Sequence, residues 1–202
     1  MKKHILLFLF FMLIVIGSSN GSTKNTTIQH TLPFTSDGLK KFYSYDENTG
    51  SYKINAQFLE KKEFTQSEKN IKPKNFHDYY STSKYYYPVL DVSIGLQRVT
   101  GIIYEGWVES EYPCLFFQIN SYDHAGNNID ALLIDNRFTF EVTYWNDFTI
   151  DKNGNIFIQE FSENEVLIDD NGNIIKHTTI PKIESHLLKF KINKNGNFEL
   201  IH

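Results

Sequence analysis

Ile150-Asp151-Lys152-Asn153-Gly154-Asn155-Ile156, residues 150–156, decides the fold because the same arrangement returns twice. Ile168-Asp169-Asp170-Asn171-Gly172-Asn173-Ile174 and Ile192-Asn193-Lys194-Asn195-Gly196-Asn197-Phe198 repeat it: an apolar residue, an Asp or Asn, an Asn-Gly-Asn turn, then a second apolar residue. Asn and Gly adopt positive φ at low steric cost, which tight hairpin turns demand. Each copy therefore predicts an outgoing and a returning strand. Gly126-Asn127 is a further turn of this kind between apolar runs.

Working outward, the chain from Tyr85 alternates short apolar or β-branched runs with Gly, Asn and Asp clusters at intervals of about ten residues. Predicted strands are Val89 to Ile94, Thr100 to Glu109, Cys114 to Tyr122, Ile129 to Ile134, Phe138 to Trp145, Phe148 to Ile150, Ile156 to Phe161, Val166 to Ile168, Ile174 to Thr178, Leu187 to Ile192 and Phe198 to Ile201. Helical periodicity is not sustained for three turns anywhere in this region. Residues 85–202 thus read as an all-β domain, an antiparallel hairpin meander forming a curved sheet, a sandwich or an open barrel. Local connections favour a meander over a Greek key. A small β-propeller is the alternative.

The repeated turn resembles the hairpin of NHL-type β-propeller repeats, in which an Asp-x-x-Gly-Asn turn joins two strands of a blade. Glycine spacings of 28, 18 and 24 residues from Gly126 through Gly196 are irregular and shorter than blades of about 40 residues. Shared turn chemistry accounts for the pattern. On the segment Tyr122-Asp123-x-x-Gly126-Asn127-x-Ile129-Asp130, the stretch from Tyr85 to His202 also resembles uncharacterised exported bacterial β-rich proteins that end in such a meander. That resemblance implies an exported β domain and no particular activity.

Ahead of the β domain, Lys2 and Lys3 precede an apolar run from Ile5 to Ile16, followed by small and polar residues from Gly17 to Ser22. This is the order of a secretory signal peptide, assigned to residues 1–20. Twelve apolar residues rise about 18 Å as a helix, short of the roughly 30 Å hydrocarbon core, so no permanent membrane span is predicted after cleavage. The expected address is exported: periplasm, cell surface or extracellular. Residues 21–84 are rich in Thr, Lys, Asn and Ser and read as a polar, partly ordered lead-in. Within it, Phe42 to Tyr45 and Tyr52 to Ile54 flank a turn-forming run and predict a hairpin, and Gln57 to Asn70 could form a short helix.

Several chemistries are excluded by what is missing. The whole chain has a formal charge of −4, and loss of the two leader lysines makes it −6; a net acidic surface argues against nucleic acid. A single cysteine, Cys114, cannot form an intramolecular disulfide, and its neighbours Leu115, Phe116 and Phe117 predict a buried thiol. Seven histidines include no pair at zinc-ligand spacing, and the Asp-x-Asn-Gly-Asn turns hold Ile156 and Ser162 where a calcium loop needs Gly and Glu. No metal is predicted. Neither a phosphate-cradling Gly-rich loop nor a nucleophile elbow occurs, so no cofactor is predicted and no catalytic residue is assigned.

Period-2 phase supplies the residue-level candidates. Ile102, Tyr104 and Val108 share one strand face, and Trp107 travels with Glu105 and Glu109 on the other. Trp145 likewise falls with Thr139, Glu141 and Thr143, opposite Phe138, Phe140, Val142 and Tyr144. An indole on a polar face offers apolar area and one donor, hence ligand-binding candidates Trp107, Trp145, Glu105 and Glu109. A bulge or a covering segment would instead make both indoles core. A second candidate is the tyrosine tract Tyr79, Tyr80, Tyr85, Tyr86 and Tyr87 beside His77, since consecutive strand residues face both ways. The bland reading of that tract is rings packed on both faces.

Two functions follow. The first is a non-enzymatic binding or interaction protein, acting as an inhibitor or accessory protein, whose partner is an exported protein or a saccharide. The second is a carbohydrate-active hydrolase whose acids, among Glu105, Glu109, Glu111 and Glu141, converge on a saccharide held by Trp107 and Trp145, at the carboxylate separations glycoside hydrolysis requires. A structural domain without a discrete ligand site is a third reading.

Overall fold

Asp123, Asp151 and Asn193 each turn the chain through a hairpin with their own side chains. Asp123 Oδ1 accepts the backbone N–H groups of Ala125 and Asn127, and Asp151 and Asn193 do the same for residues 153 and 155 and for 195 and 197. The glycines of these turns lie at φ +84°, +76° and +89°, where any other residue is strained. These are the hairpin turns the sequence predicts, with their carboxylate and amide oxygens occupied by local backbone.

The computed structural model describes residues 28–139, 142–168 and 174–201, with backbone alone for Phe58, 165–168 and 174–179. The expected leader, the Asn171-Gly172-Asn173 turn and Glu141 lie outside these residues. Short elements come first: β1 (Phe34–Thr35), α1 (Ser36–Lys40), β2 (Tyr43–Asp46), β3 (Ser51–Ile54), a 3-10 turn (Ala56–Phe58), β4 (Lys62–Glu63), α2 (Gln66–Lys69) and β5 (Tyr80–Thr82). The long strands follow: β6 (Tyr85–Ile94), β7 (Gln97–Val108), β8 (Tyr112–Tyr122), β9 (Asn128–Thr139), β10 (Val142–Ile150), β11 (Asn155–Ile168), β12 (Ile174–Ile192) and β13 (Phe198–Leu200).

Strands β6 to β13 pair in sequence order, all antiparallel, in one eleven-stranded sheet that also takes in β4 beside β6, β1 beside β10 and β5 beside β7. The sheet is curved and is not closed into a barrel. The hairpins add edge to edge, so the propeller alternative, which needs separate blades, does not hold. Curvature brings distant strands together: a Cβ at Gly154, in the β10–β11 turn, would lie 2.8 Å from the side chain of Ile94 on β6.

Both faces of the β6–β9 part of the sheet carry a core. On the concave side, Leu90, Ile103, Phe117, Leu132, Phe148, Ile158 and Phe198 form the main core, and Phe34, Leu39 and Phe42 from the N-terminal segment plug it. Across the sheet a second core joins Tyr104, Phe116 and Phe138 to Phe64, with Phe76 and Tyr80 packed against it. Fully burying one such aromatic side chain stabilises by about 1.5–3 kcal/mol. Cys114 is buried here, as expected.

Four local expectations are revised. From residue 28 on, the polar lead-in supplies three strands of the sheet and cover for both faces, because its isolated aromatics each fill one gap. Gln57 to Asn70 is not one helix: Thr65 caps the four-residue α2, with Glu68 reaching back to the Thr65 N–H in a capping box. Phe138 to Trp145 is not a single strand: β9 ends at Thr139 and β10 begins at Val142, with Thr139 opposite Thr143 and Phe138 opposite Tyr144. The predicted breaks within β11 and β12 are also absent, since Ser162 to Asn164 pair with Lys182 to Glu184 and the two-stranded ribbon continues past a bulge between Asn164 and Val166.

Candidate functional site

Strands β9 and β10 keep a backbone ladder for only two residue pairs and then part. Side chains bridge the opening. Asp135 Oδ1 accepts the N–H of Asn146 at 2.8 Å, the Arg137 guanidinium donates to Asn146 O at 2.9 Å, and Asn146 Nδ2 donates to Ile134 O at 2.9 Å. Arg137 Nε and Asp135 Oδ2 are 2.6 Å apart, and both side chains are almost wholly buried. Burial pushes the Asp135 carboxyl up, and the guanidinium opposes that shift. Deeper in the gap the freed edge of β9 is taken by Lys74, whose N–H donates to Ala131 O and whose C=O accepts from Leu133 N.

A cavity of about 610 Å³ lies where the sheet opens. Residues 75–80 form one wall, with Asn75, His77, Tyr79 and Tyr80; the β7–β8 turn contributes Val108, Glu109 and Tyr112. Asn136 and Phe138 come from β9, Val142, Tyr144 and Asn146 from β10, Glu160, Phe161 and Ser162 from β11, and Glu184, Ser185 and His186 from β12. Strand alternation accounts for Val142, Tyr144 and Asn146 of β10 and for Glu160 and Ser162 of β11, which face the same way.

The walls are built in pairs. Tyr144 stacks on Phe138 at 4.6 Å between centroids, and His77 stacks on Tyr79 at 5.0 Å. Tyr80 packs edge-on to Tyr79 and His77, and its hydroxyl accepts from Asn136 Nδ2 at 3.0 Å. Asn75 Nδ2 donates to Glu160 Oε1 at 3.1 Å, and His186 lies opposite Glu160 in the β11–β12 register. Burial raises the phenols of Tyr80 and Tyr144, so both remain neutral O–H groups. The Lys182 ammonium holds Glu184 below the usual carboxylate range.

Backbone strain marks the same place. Among the described residues the non-glycine positions with positive φ are Asn75 (+60°), Glu109 (+51°) and Ser110 (+64°), and the first two line the cavity. Glu109 and Ser110 fill a turn closed by Glu111 N to Val108 O, a geometry that Asn-Gly would adopt more cheaply. Strain of this kind costs of order 1–3 kcal/mol per residue and persists where surrounding contacts impose it; here the Glu109 N–H donates to Tyr79 O at 2.9 Å.

The structure separates the sequence candidates. Trp107 is 41% exposed beside exposed Glu105, on the polar face the phase predicts. Trp145 is half-buried and stacks on Phe161 at 5.2 Å. Each indole alternates with a cavity residue of its own strand, Trp107 with Val108 and Trp145 with Tyr144, and neither lines the cavity. Of the four acids, Glu109 reaches the cavity, Glu105 lies across the sheet from it, Glu111 sits exposed in the β7–β8 turn, and Glu141 is outside the described residues. The three described acids do not meet around the tryptophans.

The tyrosine tract divides in the same manner. Tyr85 is exposed with Lys61 and Lys84 over its ring, Tyr86 is buried with its hydroxyl 3.3 Å from Glu68, and Tyr87 packs against the main core. Tyr79 and Tyr80, with His77, are the part that lines the cavity. Sequence reasoning misses Asn136, Asn146, Glu160 and His186. The available signal was mid-strand asparagine, a residue depleted from strands and placed here where the ladder is interrupted.

No family model matches this chain, and neither a curated protein nor a solved structure matches it. Function therefore rests on the cavity's own chemistry. Among the described residues no group of three His, Cys, Asp or Glu side chains is placed to hold a metal ion. The cavity offers aromatic faces, amide and hydroxyl groups and carboxylates, which suits reversible binding.

Proposed function

We propose that this chain is an exported binding protein whose ligand occupies the cavity between the β9–β10 opening and residues 75–80. One observation carries the reading: a pocket of about 610 Å³, inside the usual range for small-ligand sites, is walled by paired aromatic rings and polar groups. Strained Asn75 and Glu109 at its wall support it. The signal-peptide pattern of residues 1–20 supports export.

The test is a ligand-observed NMR screen of amines, amino-acid derivatives and oligosaccharides against the purified protein and against Ser162→Trp, which fills the cavity from β11. Hits that bind the parent and are lost in Ser162→Trp support the proposal. Hits that survive Ser162→Trp and are lost in Trp107→Ala would move the site to the opposite face.

A further inference from the structure

We propose that the cavity recognises an organic cation, an alkylammonium or guanidinium group held against Tyr79, Phe138 and Tyr144 and faced by Glu109 and Glu160; this rests on the cavity being the binding site. The first ground is charge. Among the described residues three glutamates line the cavity and no lysine or arginine does. Glu184 is already paired with Lys182, whereas Glu109 and Glu160 have no ion-pair partner among the described residues. Glu160 takes only a neutral amide hydrogen bond, from Asn75.

The second ground is the ring arrangement. Tyr144 on Phe138 and Tyr79 against His77 present stacked aromatic surfaces, and aromatic faces carry the negative end of the ring quadrupole. Carboxylates and ring faces thus act with the same sign, and a concave, partly desolvated wall focuses that field. An anion is repelled here. A neutral sugar could use the amides and rings but leaves both free carboxylates uncompensated, while a cation satisfies all three features together.

A free amine and a lysine or arginine side chain of a protein partner share this chemistry, so the experiment separates them. Isothermal titration of the purified protein uses four probes: choline, its uncharged carbon isostere 3,3-dimethylbutan-1-ol, acetyl-Gly-Lys-Gly-amide and acetyl-Gly-Arg-Gly-amide. At least one cation should bind about tenfold or more tighter than the isostere. Affinity should fall with added salt. Tighter binding of the peptides assigns a protein source, and tighter binding of choline assigns a free amine.

Glu160→Gln keeps the size of the side chain and should reduce cation affinity severalfold, with Tyr144→Leu as an independent variant on the ring side. Glu105→Gln, on the other face, should leave it unchanged. Equal binding of choline and its isostere overturns the cation assignment, as does binding of neutral oligosaccharides alone; in both cases loss of binding in Ser162→Trp keeps the cavity as the site. Cation binding that survives Ser162→Trp and Glu160→Gln overturns both readings, as does folded protein that binds none of these probes or sugars.

Discussion

The Asp135 carboxylate and the Arg137 guanidinium, two residues apart on one strand, meet at 2.6 Å and together hold the backbone of Asn146 where β9 and β10 no longer pair. The pair substitutes side-chain hydrogen bonds for a missing ladder. It fixes the opening that forms the cavity, so its removal should register both in stability and in ligand affinity.

Replacing Arg137 with Leu leaves the Asp135 carboxylate buried and unpaired, and should destabilise the protein by about 3–5 kcal/mol. Asp135→Asn/Arg137→Leu should lose less than the two single changes combined, because neither partner is left charged alone. Urea unfolding of the three variants checks this, and additive losses would deny the coupling.

Gly154 and Gly126 occupy equivalent turns with different surroundings. At Gly126 a Cβ meets nothing within 4 Å, so Gly126→Ala should cost only the left-handed backbone penalty of about 1–2 kcal/mol. At Gly154 the same Cβ would lie 2.4 Å from Ile192 and 2.8 Å from Ile94, adding roughly 1–3 kcal/mol of overpacking. Thermal unfolding should rank parent, Gly126→Ala, then Gly154→Ala.

Asp123 has its carboxyl held below the usual value by the side-chain amide of Asn127 and then by backbone N–H donors of the turn. A depressed folded pKa contributes stability above the unfolded Asp value, and that contribution is lost as pH falls through the folded value. The parent should therefore lose stability on acidification below about pH 4 more steeply than Asp123→Asn. Identical acid dependence of the two would contradict this assignment.

The tryptophans should report opposite environments. Trp145→Phe leaves exposed Trp107, with red-shifted emission quenched readily by iodide, and Trp107→Phe leaves the stacked, half-buried Trp145 with bluer and better protected emission. Cavity ligands should leave the emission of Trp107 nearly unchanged, whereas Trp145 stacks on the cavity residue Phe161 and is not a control. Strong quenching of Trp107 on ligand binding would place the ligand outside the cavity.

The hairpin turns and the order of the long strands are legible in the sequence because Asx-Gly chemistry is local and period-2 alternation marks each strand. Trp107 on a polar face follows from that alternation. The cover over both cores is not legible, since Phe34, Leu39, Phe64 and Phe76 stand singly in polar sequence and their roles arise from contacts with distant strands. The cavity is illegible for a related reason. It exists because β9 and β10 part company, an interruption that uses Asp135, Arg137 and Asn146 in a pattern no local rule encodes, and that brings Glu160 and His186 opposite a segment eighty or more residues earlier.

The most direct test is a carbon-correlated NMR titration of ring-labelled tyrosine with cationic and saccharide probes. Shift changes should concentrate at Tyr79, Tyr80, Tyr112 and Tyr144, with Tyr45 and Tyr52 silent on the other side of the sheet. Changes confined to Tyr45, Tyr52 or residues around Trp107, with the four cavity tyrosines unmoved at saturation, would contradict the cavity as the binding site.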